Sequence, residues 1–357
     1  MNFEEKIGDR TLRQITSRLM RGEHLTHEQA EEFLHALLHP NATDVQIAAA
    51  LVAMAVKGET VQELAGMATG MRARAVPLPT HHVRFIDTAG TGSSQAKTFN
   101  VSTAAAFVIA GAGLPVAKHG SHAVTSRAGS ADVLQALGVN TTASPQDTQR
   151  CFNEHGICFM FAPLFHGATA RVAHVRRQLG VHTVFNLLGP LSNPARAPLQ
   201  LLGVWSPSLL ERVASALVRI GIENAWVIHG SDGLDEITLA GETMVAACLS
   251  KSNGTAAVKT FAISPRDFGL DTQSLDELRG GGPRENARLI RAVLDGEKSD
   301  HVATARDLVI VNAAAALHVG GMAPDLLTAT DLARQSIESG HAAAKLNALI
   351  RETNCKP

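Results

Sequence analysis

The residues best suited to chemistry fall in four places along the chain. Gly90-Thr-Gly92-Ser-Ser94 is followed by Thr98, Asn100, Ser102 and Thr103. Glycine lets a backbone come close to an anion, and hydroxyls with N–H groups at a helix start donate to it. The run therefore suits phosphate, although an ordinary strand-to-helix turn carries similar glycines. It is neither a Walker loop nor a complete GxGxxG, because no Gly-Lys-Ser/Thr follows and the third glycine is missing. Lys118-His119-Gly120-Ser121-His122, with Ser126, Arg127, Gly129 and Ser130, sets a cation beside hydroxyls near a second helix start. That too is a setting for phosphate, with Lys as a point charge and backbone N–H groups giving direction. Asp232, Asp235 and Glu236 crowd carboxylates into one loop. Mg2+ takes one or two carboxylates plus substrate phosphates, and a solvated acidic turn has the same composition. Arg176 and Arg177 are adjacent, so on a helix they diverge and at most one faces a given cleft, where Arg can pair with a carboxylate.

The elements that must hold these groups follow from the hydrophobic pattern. Residues 11–75 read as wholly helical. Thr26-His-Glu-Gln29, Thr43-Asp-Val-Gln46 and Thr60-Val-Gln-Glu63 each have capping-box spacing, with Pro40 and Gly58 as stops. Gln46–Lys57 is apolar almost all round and should be central in a small bundle. Residues 71–82 turn basic and Pro-rich and read as a linker, with a boundary near 76–80.

Beyond it, short apolar runs alternate with helical ones. Strands are expected at Val83–Ile86, Pro115–Lys118, Ile157–Phe161, Leu199–Trp205 and Ala225–His229. Helices are expected over 100–112, 129–137, 144–154, 163–180, 207–221, 284–295, 303–319, 328–338 and 340–351. Residues 251–283 look irregular, with a flexible turn at Gly280–Pro283. This alternation predicts an α/β fold with a mostly parallel sheet, preceded by a small N-terminal helical domain. The division is 1–78 helical, with a helical contribution from about 163–183, and 79–357 α/β. The carboxylate loop after Ala225–His229 then lies at a strand end, where such sheets bind ligands.

Composition narrows the partners. Of 357 residues, 45% are hydrophobic and 18% charged, so a substantial core is expected rather than disorder. A net charge of −1 gives no electrostatic case for nucleic acid or a membrane surface. Cys151, Cys158, Cys248 and Cys355 form no CxxC pair, which argues against disulfide scaffolding and structural zinc. The start MNFEEKIGDR is acidic and unlike a secretory signal, and the apolar run Val101–Ala117 reads as a core helix followed by a strand. A cytoplasmic protein is expected.

On QIAAALVAMAVKGET (46–60), DTAGTG, TFNVSTA, VAKHG, TSRAGSADVLQALG, VRRQLG, VFNLLGPLSNPA (184–195), HGSDGLDE (229–236) and NAAAALHVGG (312–321), the chain resembles the anthranilate phosphoribosyltransferases over nearly its whole length. The resemblance implies a small helical domain hinged to a larger α/β domain, usually in a homodimer. It implies transfer of 5-phosphoribosyl from phosphoribosyl pyrophosphate (PRPP) to the amine of anthranilate, in tryptophan biosynthesis, with Mg2+. Carried over by motif, Gly90, Ser93, Ser94, Thr98, Asn100, Val101, Ser102, Thr103, Lys118, His119, Gly120, Ser121, His122, Ala123, Val124, Thr125, Ser126 and Ser130 line the PRPP site. Ser102, Asp235 and Glu236 match the metal positions, and Gly90, Ser121 and Arg176 the anthranilate positions. No nucleophile or general base is implied.

The chain departs from the family at a few places. The family's GTGGD is here GTGSS, so Ser94 replaces an acid; KHGNR is KHGSH, so Ser121 replaces Asn and His122 replaces Arg. HPA is His166-Gly167-Ala168, which loosens the helix start there. These changes bear most on the acceptor. They keep in play a PRPP-dependent transferase for another aromatic or heterocyclic amine. A nucleoside phosphorylase is disfavoured by Arg176 and FNLLGPLSNP. A non-catalytic nucleic-acid-binding paralogue is disfavoured by the near-neutral charge and the Asp235-Glu236 pair.

Overall fold

The structure is a computed structural model that describes residues 3–92, 98–123, 127–250 and 256–355. Four helices come first: α1 (Phe3–Met20), α2 (His27–Leu37), α3 (Asp44–Lys57) and α4 (Val61–Arg74). The α/β region runs β1 (Ile86–Asp87), α5 (Val101–Gly111), β2 (Val116–Gly120), α6 (Ser130–Ala136), α7 (Pro145–His155), β3 (Ile157–Phe161), α8 (Ala162–Phe165), α9 (Ala170–Leu179) and α10 (Val184–Leu191). It continues with β4 (Leu199–Gly203), α11 (Leu210–Arg219), β5 (Asn224–Gly230), β6 (Thr243–Ser250), β7 (Ala256–Ile263), α12 (Pro283–Leu294), α13 (Asp300–Val319), α14 (Leu326–Glu338) and α15 (His341–Asn354).

The starts of α2, α3 and α4 are the three Thr capping boxes read from the sequence. Thr26, Thr43 and Thr60 each accept from the N–H three residues on, and Gln29, Gln46 and Glu63 reach back to the cap. Two orphan N–H groups per helix are satisfied this way. Gly58 closes α3 at φ 80°, a conformation that favours glycine.

The seven described strands form one sheet in the order β3-β2-β1-β4-β5-β6-β7. The pairs from β3 to β5 are parallel, while β5–β6 and β6–β7 are antiparallel. Strand order reverses between β1 and β4, which makes a crevice at the carboxyl ends of those strands. Side-chain alternation splits the core. Trp226 and Ile228 of β5, with Val245 and Ala247 of β6, join the cluster built on α5 and α13. Ala225 and Val227, with Ala246 and Cys248, face the other way. On that second side they join an apolar cluster that includes Leu12, Phe33, Leu51 and Met67 of the helical bundle. The bundle and one sheet face therefore share a core.

Several expectations need correction. Residues 251–283 were expected to be irregular; from 256 on they are more regular than that, because β7 pairs antiparallel with β6 to finish the sheet. Periodicity is weak in a strand whose neighbours are polar and small, such as AAVKTFAI. The first strand begins at Ile86 rather than Val83, and Val83 is 83% exposed. Residues 71–74 are the last turn of α4, not linker. There Arg72 is half-buried and donates to the carbonyls of Leu191 (2.8 Å) and Ile220 (3.3 Å), tying α4 to the ends of α10 and α11. VFNLLGPL forms α10 although Pro190 lies inside it. Helix α13 is long and apolar enough to cross a membrane by composition alone, yet 72% of that window is buried in the core.

Candidate active site at the sheet switch point

The crevice between β1 and β4 opens into a cavity of ≈ 470 Å³. The turn after β1 supplies Gly90, and the start of α5 supplies Thr98, Asn100, Val101, Ser102 and Thr103. Lys118, His119 and Gly120 of β2, then Ser121, His122 and Ala123, form a second wall, continued by Ser130 at the start of α6. Asp235 and Glu236 arrive from the loop after β5, and Arg176 from α9. Among the described residues, every one matched to a donor, acceptor or metal position thus reaches one cavity. Ser93, Ser94, Val124, Thr125 and Ser126 lie outside the described residues.

The carboxylate loop is laid directly on the switch point. Gly203, at the end of β4, packs so tightly on the Asp235 carbonyl that no side chain fits there. The Gly92 N–H donates to Asp235 Oδ2 at 2.8 Å and the Ser102 N–H to Glu236 Oε1 at 3.2 Å. Asp232 is committed elsewhere: it accepts from Thr238 Oγ1 at 2.6 Å and from the Leu234 N–H, and so shapes the turn. Burial, then the Asp235 charge, pushes the Glu236 carboxyl well above the usual carboxylate range. Two adjacent carboxylates beside the Ser102 hydroxyl are hard oxygen donors whose mutual repulsion a divalent cation would relieve. The donor set fits Mg2+.

Lys118 is buried behind the carboxylates. Its Nζ donates to the Thr88 carbonyl at 2.9 Å and lies 3.4 Å from Ser102 Oγ. Burial lowers its pKa, and the charges of Asp87 and Glu236 oppose that. Asp87 in turn is fully buried and pushed up to about 6 by burial, against Lys118 and the Asn193 amide at 2.7 Å.

The far end of the cavity has a different character. Arg176 Nη2 donates to Asn186 Oδ1 at 3.1 Å, and the guanidinium lies 5.7 Å from the Phe185 ring centroid. Arg177 points to solvent, as the helical angle required. His119 and His166 stack edge-on at 5.1 Å. Burial pushes His119 down to about 3 and His166 to about 4, so both are neutral near pH 7. His119 Nε2 and Arg176 Nε are buried without a hydrogen-bond partner. Unpaired buried donors or acceptors lining a cavity are what a polar ligand would satisfy. The sequence reading gave no role to His166, Phe185, Asn186 or Gly189. The signal for Phe185, Asn186 and Gly189 was FNLLGPLSNP, noticed as a motif without a place in space; His166 was met only in His166-Gly167-Ala168.

Residues 82–343 match the glycosyl transferase family α/β domain, and residues 13–75 its helical bundle domain. Anthranilate phosphoribosyltransferase of Moorella thermoacetica is 49% identical over 334 residues, 94% of this chain and 96% of that one. The chain belongs to the anthranilate phosphoribosyltransferase family. The family's enzyme from Myxococcus xanthus is 47% identical, covering 95% of this chain and 98% of that one. The crystal structure of anthranilate phosphoribosyltransferase from Thermus thermophilus superposes with a TM-score of 0.87 at 41% identity, over 95% of this chain and 99% of that one. The Saccharomyces cerevisiae enzyme in complex with PRPP and Mg gives 0.86 at 28% identity, over 97% and 98%. The family's two architectural parts, a helical bundle and a larger α/β domain with a mostly parallel sheet, are the two seen here.

Of the two positions read as departures, Ser121 and His122, the second has a visible partner. His122 Nδ1 is 2.6 Å from Asp132 Oδ1, and its ring packs edge-on to Phe161 at 4.9 Å. Asp132 Oδ2 also accepts from the N–H groups of Ala123 (2.9 Å) and Gly129 (2.8 Å). His122 is thus drawn to the carboxylate that organises its own loop. His166-Gly167-Ala168 leads into a short 3-10 turn, Gly167–Thr169, instead of a direct helix start.

Proposed function

We propose that this protein transfers the 5-phosphoribosyl group of PRPP to the amine of anthranilate, releasing pyrophosphate, as a step of tryptophan biosynthesis. The observation that carries this is the two-ended cavity. Phosphate-type donors and paired carboxylates occupy one end, and a half-buried arginine with aromatic and neutral imidazole neighbours occupies the other. Gly90, Thr98, Asn100 to Thr103, Lys118 to Ala123 and Ser130 hold PRPP, together with Ser93, Ser94 and Val124 to Ser126, which are assigned by resemblance. Arg176, with Gly90 and Ser121 nearby, receives the anthranilate carboxylate. Asp235, Glu236 and Ser102 hold Mg2+, which when bound neutralises pyrophosphate charge.

The chain's residues do the rest by position and field. Departure of pyrophosphate from C1 of the ribose leaves an oxocarbenium-like centre, as in glycoside chemistry. Lys118 adds positive charge beside the leaving group. An aromatic amine is already nucleophilic, so alignment across the cavity replaces a strong base. That agrees with neutral His119 and His166 and with the lack of a nucleophile–base pair in the motifs. Closure of the helical part, 1–78 with about 163–183, on the α/β part, 79–357, would exclude water. The protein acts in the cytoplasm.

We also read it as a homodimer. Val45, Val52 and Val56 line one face of α3 and are 78%, 39% and 83% exposed, an apolar stripe that a second copy would cover. A second acceptor is favoured only by Ser121 and by His122 being drawn to Asp132. Turnover of anthranilate with PRPP and Mg2+ tests the proposal; turnover of another amine with anthranilate inert would replace it.

A further inference from the structure

Residues 279–286 carry none of the motifs, and their glycines read as a flexible turn. In the fold they pack against the Thr98–Thr103 wall of the donor end. Gly280 packs on the Thr98 carbonyl with no room for a side chain. Pro283 then starts α12, and Asn286, in its first turn, is 4% exposed. Asn286 Oδ1 accepts from the Gly281 N–H at 2.9 Å. Its Nδ2 donates to Asn100 Oδ1 at 3.0 Å. Asn100 Nδ2 donates to the Ala128 carbonyl at 3.1 Å. Asn100 precedes α5 as its N-cap yet makes no side-chain cap bond, although Asn is among the best caps. Its amide is spent sideways.

The chemistry of this relay leaves one arrangement. The Ala128 carbonyl can only accept, so Asn100 must turn its NH2 there and its oxygen toward Asn286. The Gly281 N–H can only donate, so Asn286 must turn its oxygen there and its NH2 toward Asn100. Each end fixes the next, and a carboxylate at either position sets oxygen against oxygen. Asn100 itself joins the Thr98–Thr103 wall to Ala128 in the second wall, and Asn286, which lines neither, holds Asn100 from behind.

We propose that Asn286 is a positioning residue for the donor site. It locks Asn100 in the orientation that joins the two phosphate-binding walls and so sets the gap between them. The inference rests on the assignment of those walls to PRPP. The test is N286D, which is isosteric, keeps the contact to Gly281 and loses the donor to Asn100. PRPP binding, measured by calorimetric titration with Mg2+ present, should weaken about five- to tenfold, the worth of one hydrogen bond. The KM for PRPP should rise in parallel, while the KM for anthranilate stays within about twofold. The double variant N100A/N286D should bind PRPP no more weakly than N100A alone, because the two residues act as one unit. If N286D fails to fold, Asn286→Ser, too short to reach Asn100, is measured in the same way with the same expectation. Unchanged PRPP affinity, equal losses for both substrates, or additive losses in the double variant would overturn the inference. Wild-type protein that binds no PRPP would instead overturn the functional assignment on which it rests.

Discussion

Arg176 and Arg177 were equivalent as letters, and only the helical angle said that one of them could serve the cavity. The structure adds what makes Arg176 suitable. It is half-buried, held by Asn186 and backed by Phe185, and it keeps a buried Nε unpaired. An arginine fixed in this way presents its fork to a carboxylate with little further ordering. Arg176→Ala should raise the KM for anthranilate about 10- to 100-fold, the range for a hydrogen bond to a charged group, and leave the KM for PRPP within about twofold. Unchanged acceptor saturation would remove Arg176 from the site. The motif glycines, hydroxyls and carboxylates were legible because their chemistry is local. His166 and Asn286 were not, since each acts through a contact with a residue distant in sequence. Asp232 was legible as a carboxylate but not as a turn former, because its Thr238 partner is set by the loop's shape.

The capping boxes of α2, α3 and α4 were readable because a cap and its partner lie three residues apart. The box at Thr60 hides more. Glu63 is fully buried, accepts from the N–H groups of Thr60 (2.8 Å) and Leu25 (2.9 Å), and pairs with the buried Lys57 at 2.7 Å. Burial opposes its ionisation, but these hydrogen bonds outweigh it and hold the carboxyl below the usual range. A depressed carboxyl stabilises the fold above its unfolded pKa, and that contribution is lost as pH falls through the folded value. Glu63→Gln leaves Lys57 buried and unpaired, so it should cost about 3–5 kcal/mol at pH 7. The gap in melting temperature between wild type and E63Q should narrow as pH falls below about 4.5, the unshifted carboxyl value. A gap that does not change with pH would contradict the role given to the charge. The elements missed from the sequence failed for different reasons. The β6–β7 hairpin is short of strong alternation, and α10 contains the proline that ordinarily argues against a helix.

Across the whole molecule, the alternation of strands and helices gave the α/β fold, and the last helix of the bundle, α4, ends at Arg74. The pattern did not reveal that the bundle shares a core with one sheet face, because each side of that packing looks like an ordinary apolar surface in isolation. It did flag α3 as apolar all round, and the face left over is the Val45, Val52, Val56 stripe. If a second copy covers it, Val52→Lys should convert a dimer to a monomer in light scattering while the monomer remains folded. A monomeric wild type would end that reading. The central claim is that one cavity brings donor and acceptor together, and its most direct measurement follows both sides of the exchange at once. With PRPP, Mg2+ and anthranilate, pyrophosphate released should equal anthranilate consumed, one for one, and omitting either substrate should abolish both. Pyrophosphate release with anthranilate left intact, or no turnover of either, would contradict it.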